Sequence, residues 1–394
     1  MSPTETTSEQ EFVSRASNLV PLLKANAAWT EENRRLHPET LEALTDAGFF
    51  RMRIPKRYGG HEVGLRTLSE AVTELGRGDG STSWTAGVWT ISTWIACLFP
   101  DEVQDEIFST PDVRVCGILS PTVTATPTKG GYLVNGKWTF NSGAQQSHWN
   151  TNSALLLDPD ADGPQPIMTA IPLKELEIVD DWYTSGLRGS GSVSTVARDV
   201  FVPAERVLKM GPVLRQQYAS VKNAGSPIFR APLLPTACAT VSATVLGLAK
   251  AAKEAFFERL PERKITYTDY TRQSEAPLTH LQVAEATAKV DETEFHALRA
   301  ADLVDAKAAS GEEWTLEERA RVRLDLGATC QRAKEAVDIL ATASGGSSIY
   351  DSVPIQRIER DIRTLNLHAI MHPNTNFELY GRILCGLGPN THYL

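Results

Sequence analysis

Cysteine is scarce in this chain of 394 residues. The five present, Cys97, Cys116, Cys238, Cys330 and Cys385, lie far apart and form no CxxC pair. An odd, scattered set argues against a disulfide framework and points to reduced thiols in a cytoplasm. Positive charge is short as well: 39 Lys and Arg face 48 Asp and Glu, for a net charge of -9. That balance argues against nucleic acid as the main partner, because phosphate backbones require a basic surface. No apolar run approaches the roughly 20 residues of a bilayer span, so no membrane association is expected. The first residues, with Glu5, Glu9 and Glu11, show neither the basic n-region nor the apolar h-region of a secretory signal. Nucleotide fingerprints are missing too. There is no GxxxxGK[ST], and Gly76-Arg-Gly78-Asp-Gly80 follows a helix pattern, so it reads as a loop between helices; no GxSxG nucleophile elbow is present either. Without a Rossmann unit, the chain is not expected to take hydride from a nicotinamide itself.

What is present reads as a globular protein with 42% hydrophobic and 22% charged residues, long enough for two or three domains. The first stretch is helical. Pro38 to Ala47 has a Pro start and a stop at Gly48; Leu65 to Leu75 is apolar at helical spacing and ends at Gly76; Ser83 to Phe99 is uniformly apolar and Trp-rich, which predicts burial. From Pro111 the chain turns to short runs rich in Val, Thr, Gly and Pro. Tyr132-Leu-Val and Lys137-Trp-Thr-Phe140 flank Asn135-Gly136, which predicts a type I′ hairpin. Ala154 to Leu157, Ile167 to Ile171 and Val196 to Val202 read as further strands. After Pro232 come four long helical segments, Thr240 to Leu260, Leu278 to Val304, Leu316 to Ala343 and Ile355 to Leu387, which predict an antiparallel bundle. The expected class is α+β, with a helical domain over 1–112, a β barrel or sandwich over 113–228 and a four-helix bundle over 229–394.

Several short motifs run through these regions in order. They are Ile54-Pro55 with Tyr58-Gly59-Gly60, Gly186-Leu-Arg-Gly-Ser190, Asp199-Val-Phe-Val-Pro-Ala204, and Gly345-Gly346 with Tyr350 and Pro354 to Arg360-Asp361. Together they resemble the acyl-CoA dehydrogenase superfamily. That family removes an α-proton with one carboxylate, in most members eight residues after the Asp of the late Arg-Asp pair. Counted from Asp361, that position is Ala369, preceded by His368. The alternative position, on the first bundle helix, is also empty, since Ala231 to Ala249 holds no acidic residue. Dehydrogenation thus lacks its base.

Trp138-Thr-Phe-Asn-Ser142-Gly143 with Trp149, Trp182 to Ser192 reading WYTSGLRGSGS, and Arg360-Asp361 followed by His368-Ala369 resemble instead the group D flavin monooxygenases. The tail from Met371 to Leu387 looks most like members from aromatic polyketide pathways. The resemblance implies the oxygenase component of a two-component system. It would use reduced FMN or FAD and O2, through a C4a-hydroperoxyflavin, to hydroxylate an aromatic or polyketide phenol. The reduced flavin would come from a separate NAD(P)H:flavin reductase, and the oxygenase would be a homotetramer. By the same resemblance, Ser142 meets the flavin N5 region, and His368 lies on the oxygen side of the ring as an orienting or proton-transferring group. Ser120, Arg263, Lys264, Gln282, Gly345 and Gly346 would hold the cofactor, with Lys264 at the position of the family's phosphate Arg and Gln282 reaching across a subunit contact. Trp182, Ser92 and His372 would face substrate, Ser92 standing where several members carry a His. No metal is expected: His368 and His372 are four apart, but no third ligand is nearby. The alternatives are an N-oxygenase acting on an amine or amino sugar, a true acyl-CoA dehydrogenase, and a catalytically inactive flavin-fold binding protein.

Overall fold

The structure is a computed structural model and describes residues 9–394. Five helices come first: α1 Glu9–Asn33, α2 Pro38–Asp46, α3 Leu65–Gly78, α4 Gly80–Ala96 and α5 Asp101–Ile107. α1, a 25-residue helix, has no counterpart among the segments expected from sequence. Gly48 ends the α2 region in the left-handed conformation, at φ +75°, as its lack of a Cβ allows.

The Gly-rich stretch 76–80 is not a loop. α3 runs through Gly78, and Asp79 alone separates it from α4, capping α4 by accepting a hydrogen bond from the Thr82 amide. Gly76 marks a helix crossing: a Cβ there would lie 2.9 Å from Gly247 Cα. The glycine is set by close packing of two backbones, a signal that resembles a helix stop in one dimension.

Eight strands follow: β1 Val115–Ile118, β2 Thr124–Thr128, β3 Gly131–Asn141, β4 Trp149–Leu156, β5 Gln165–Pro172, β6 Glu177–Val179, β7 Val193–Pro203 and β8 Val207–Lys209. They form one mixed sheet in the order β6-β7-β3-β2-β4-β5-β8, with β1 pairing parallel to β4. The Asn135-Gly136 hairpin does not form. β3 passes straight through both residues, and Gly136, at φ +135°, sits at a bulge against β7. Asn135 is held there by its side chain, which donates to the Asp199 carboxylate and accepts from the Asp199 amide. The tight turn lies earlier, at Lys129-Gly130 between β2 and β3, with Gly130 at φ +81°. A bulge and a hairpin both need glycine's backbone freedom, so the dipeptide alone cannot separate them.

After the short α6 (Met210–Leu214), the bundle comprises α7 Leu233–Arg259, α8 Pro277–Ser310, α9 Leu316–Ala343, α10 Pro354–Asn366 and α11 Pro373–Leu384. α9 has the bounds expected from sequence and opens on a capping box formed by Thr315 and Glu318. By length and hydropathy the segment Leu233–Glu262 could cross a membrane, contrary to the sequence expectation, yet 94% of its apolar window is buried among its neighbours. It is the central helix of the bundle. The fourth expected segment, Ile355 to Leu387, is two helices. Pro373 offers no N–H and steers His372 away from helical geometry, so residues 367–372 form a turn. His368 sits in that turn rather than on a helix.

Candidate active site

The site begins at a strand defect. Between Trp138 and Asn141 the β3–β7 register slips, and Phe140 takes φ +63°. The bulge redirects the chain as it leaves the sheet, and the next residue, Ser142, is delivered against α4. Its hydroxyl is buried and accepts a hydrogen bond from Trp84 Nε1 at 2.9 Å. Trp84 in turn meets the His368 ring edge to face, with centroids 5.4 Å apart. One indole on α4 therefore joins a serine at the end of β3 to a histidine in the α10–α11 turn, residues 226 positions apart. Sequence reasoning placed Trp84 only in a buried helix; a Trp-rich apolar run gives no sign of which indole is shared by a site.

His368 has a solvent-open edge, while protein packs around its other sides. That packing opposes protonation and lowers its pKa from the ordinary value to about 4. The imidazole is therefore neutral at pH 7. Its Nδ1 accepts the Ile370 amide at 3.3 Å. An accepting Nδ1 places the proton on Nε2, so the ring is a hydrogen-bond donor there.

A loop from Trp182 to Ser192 backs Ser142. Ser142 Oγ is 2.7 Å from Ser192 Oγ, and Ser192 Oγ is 2.7 Å from Ser190 Oγ. Ser190 donates to the Leu187 carbonyl at 2.7 Å, and Gly143 N–H donates to the Ser190 carbonyl at 2.9 Å. Leu187 is left-handed, at φ +49°, and its amide donates to the buried Asp361 at 2.6 Å. Desolvation, with Asp79 adding like charge, raises the Asp361 pKa to about 7. Trp182, expected to face substrate, is buried and spends its indole N–H on the Leu187 carbonyl at 3.0 Å, so its observed contact is with the loop. Ser92 is buried on α4 beside Gly117, where a Cβ would lie 3.0 Å from its Oγ. It lies eight residues from Trp84, about 12 Å along the axis. His372 occupies the N-cap position of α11 with no capping side-chain bond, and its buried Nδ1 has no hydrogen-bond partner.

Cations gather elsewhere. Arg259 and Arg263 both donate to Ser347 Oγ, at 3.1 and 3.3 Å, and Arg263 also bonds Gln273. Neither pairs with a carboxylate among the described residues. A Cβ on Gly345, at φ +63°, would lie 2.9 Å from Arg263 Nη2, and Gly346 is open. The structure thus brings Arg263, Gly345 and Gly346 together. Lys264 points outward, Gln282 is half-buried on α8, and Ser120 is exposed in the β1–β2 connection. Arg259 and Ser347 were missed from sequence, where an Arg at a helix end and a Ser in a turn carry no distinguishing pattern.

Comparison with known proteins follows this geometry. Residues 8–108 match the acyl-CoA dehydrogenase N-terminal domain, and residues 239–373 match the acyl-CoA dehydrogenase C-terminal domain. The chain is 30% identical to the flavin-dependent monooxygenase oxygenase subunit HsaA of Mycobacterium tuberculosis, over 96% of each chain. The chain belongs to the flavin-dependent monooxygenases of the acyl-CoA dehydrogenase fold. It is also 30% identical to the oxygenase component of the FADH2-dependent resorcinol hydroxylase of Rhizobium sp., over 99% of this chain and 98% of that one. Among solved structures, HsaA from M. tuberculosis superposes with a TM-score of 0.92 at 30% identity, over 98% of this chain and all of that one. XiaF from Streptomyces, solved with FADH2 and glycerol, gives 0.92 at 30% identity over 98% of each chain.

As a flavin-dependent monooxygenase the protein is an oxidoreductase that uses a flavin with O2. Its residues fit such a group at two places. Ser142 has bonding capacity left, and a solvent-open His368 stands across the Trp84 indole from it. Arg259 Nη1 is buried without a partner, next to the glycine cradle at 345–346, as an anion such as a phosphate would require.

Proposed function

We propose that the protein binds reduced FMN or FAD from a separate NAD(P)H-dependent reductase beside Ser142, Trp84 and His368 and hydroxylates a phenolic substrate there. The observation that carries the reading is the Trp84 bridge, which holds a polar hydroxyl and a neutral N–H donor together, with Ala369 where a dehydrogenase base would stand. Bound flavin supplies the oxygen chemistry. The chain's share is placement. Ser142 accepts a hydrogen bond at the flavin N5 edge. His368 offers its Nε2 proton to an oxygen there, a substrate phenol or the oxygen being transferred. Arg259 and Arg263 hold a phosphate against Gly345 and Gly346. Ser92 and His372 line the substrate side, and Trp182 supports the loop behind Ser142.

The relatives' substrates support a phenol: resorcinol in one and p-hydroxyphenylacetate in another, the latter at 26% identity. A polyketide phenol fits the same donor. Exposed Leu278 and Leu281 on α8, beside Gln282, support packing against another copy and a homotetramer in which Gln282 reaches a neighbouring cofactor. Four buried, unpaired cysteines support a cytoplasmic setting.

The test supplies reduced flavin and labelled O2 to the purified protein with a panel of phenols. One labelled oxygen in the product, with hydrogen peroxide release falling as substrate is added, is expected. Oxidation of saturated acyl-CoA thioesters instead, or bleaching of oxidised flavin by NADH without a second protein, would refute the reading.

A further inference from the structure

The hydroxyl chain behind Ser142 has a direction. Each serine carries one proton and can donate once. At the far end stands the Leu187 carbonyl, which only accepts. The 2.7 Å separation from Ser190 Oγ to that carbonyl requires the Ser190 proton between them; without it two oxygens would face each other. Ser190 has then no proton for Ser192, so Ser192 donates to Ser190. Ser192 has then none for Ser142, so Ser142 donates to Ser192. At the near end the Trp84 indole, which only donates, fills one lone pair of Ser142. Ser142 is left with no proton to offer and one lone pair still free. All three serines are buried, so water does not readily reset the order.

We propose that Ser190 and Ser192 are positioning residues that hold the Ser142 hydroxyl as an acceptor, making the site selective for flavin that carries a proton on N5. This deepens the reading above and rests on it. Reduced flavin has an N5–H and meets the free lone pair of Ser142. Oxidised flavin has a bare N5 with its own lone pair, and two acceptors face each other without a proton. The cofactor delivered by a reductase is thereby retained, and the spent form is released. Leu187, held left-handed by Asp361 and pinned by Trp182, is the fixed end that sets the order.

Removing a link frees the Ser142 proton. In Ser192→Ala, Ser142 loses its acceptor and can turn its proton toward N5 of oxidised flavin. In Ser190→Ala, Ser192 loses its acceptor and can donate to Ser142 instead, which releases the Ser142 proton in the same way. Ser190→Thr keeps the hydroxyl and the order.

The experiment measures dissociation constants for oxidised and photoreduced FMN and FAD under anaerobic conditions, by fluorescence titration and calorimetry, in the wild type and the three variants. Thermal unfolding checks that each is folded. The expected wild-type preference for reduced flavin is at least tenfold. The two Ala variants should narrow that ratio about tenfold, a shift of about 30 mV in the bound two-electron potential, chiefly by tighter binding of the oxidised form. Ser190→Thr should keep the wild-type ratio. An unchanged ratio in both folded Ala variants overturns the proposal while leaving the flavin site standing. Equal weakening of both forms makes the serines merely structural and overturns it too. Failure of the wild type to bind either form would remove the functional reading itself and the proposal with it.

Discussion

Replacing His368 separates two chemistries. A general acid or base at this position is worth about 10²–10⁴ in rate. A neutral donor that only orients an oxygen contributes one hydrogen bond, about 0.5–1.5 kcal/mol to a neutral acceptor and about 1.5–3 kcal/mol to a charged one. At about 1.4 kcal/mol per factor of ten, that is a few-fold to about a hundredfold. The structure favours the second. Packing keeps the imidazole unprotonated at pH 7, with its pKa at about 4, and the Ile370 amide occupies Nδ1, leaving no free lone pair in the ring plane to take a proton. His368→Ala is thus expected to lower the single-turnover hydroxylation rate about tenfold to a hundredfold, with the lost turnover appearing as hydrogen peroxide. His368→Asn, which restores an N–H donor, is expected to recover most of that loss. Between pH 5 and 8 the wild-type rate should show no ionisation belonging to His368, because a pKa near 4 lies below this window. Rapid-quench product analysis across pH, in the three proteins, decides the matter. A loss beyond a thousandfold, no recovery by Asn, and an ionisation near pH 6.5 that vanishes in the Ala variant would together refute the donor role.

Three further outcomes are expected. Ser142→Ala should raise peroxide leakage tenfold to a hundredfold in a substrate-consumption assay, and should lower thermal stability because the Trp84 indole N–H is left buried without a partner, at a cost of about 1–3 kcal/mol. Arg259→Ala and Arg263→Ala should each weaken FMN binding about tenfold to a hundredfold, with a shallower salt dependence, while leaving riboflavin affinity unchanged; equal losses for both ligands would place the phosphate elsewhere. Asp361→Asn keeps an acceptor for the Leu187 amide and removes a carboxyl whose pKa is raised to about 7. A raised acid pKa means that the folded state holds a proton the unfolded state has lost, so stability falls as pH rises from about 4 to about 7. The melting temperature of the variant should therefore gain on the wild type over that range, and a constant difference would show that Asp361 does not titrate there.

Local patterns carried much of this protein. The Leu316 to Ala343 helix follows from its capping residues, and the strands near 154–157, 167–171 and 196–202 follow from short apolar and β-branched runs, because both signals act over a few neighbouring residues. The loss of a dehydrogenase base was legible as Ala369 and an acid-free Ala231 to Ala249, and Ser142, His368, Arg263 and Gly345 were nominated separately through motif resemblance. What escaped was set by distant partners. Gly76 reads as a helix stop until Gly247 is packed on it, and Asn135-Gly136 reads as a hairpin until β7 pairs across it. His368 reads as a helix residue until the turn before Pro373 sets it edge to face with Trp84. The direction of the Ser142 hydroxyl was beyond sequence altogether, since a serine donates or accepts equally well. Only the fold, by setting a carbonyl at one end of a serine row and an indole N–H at the other, left one arrangement of protons possible.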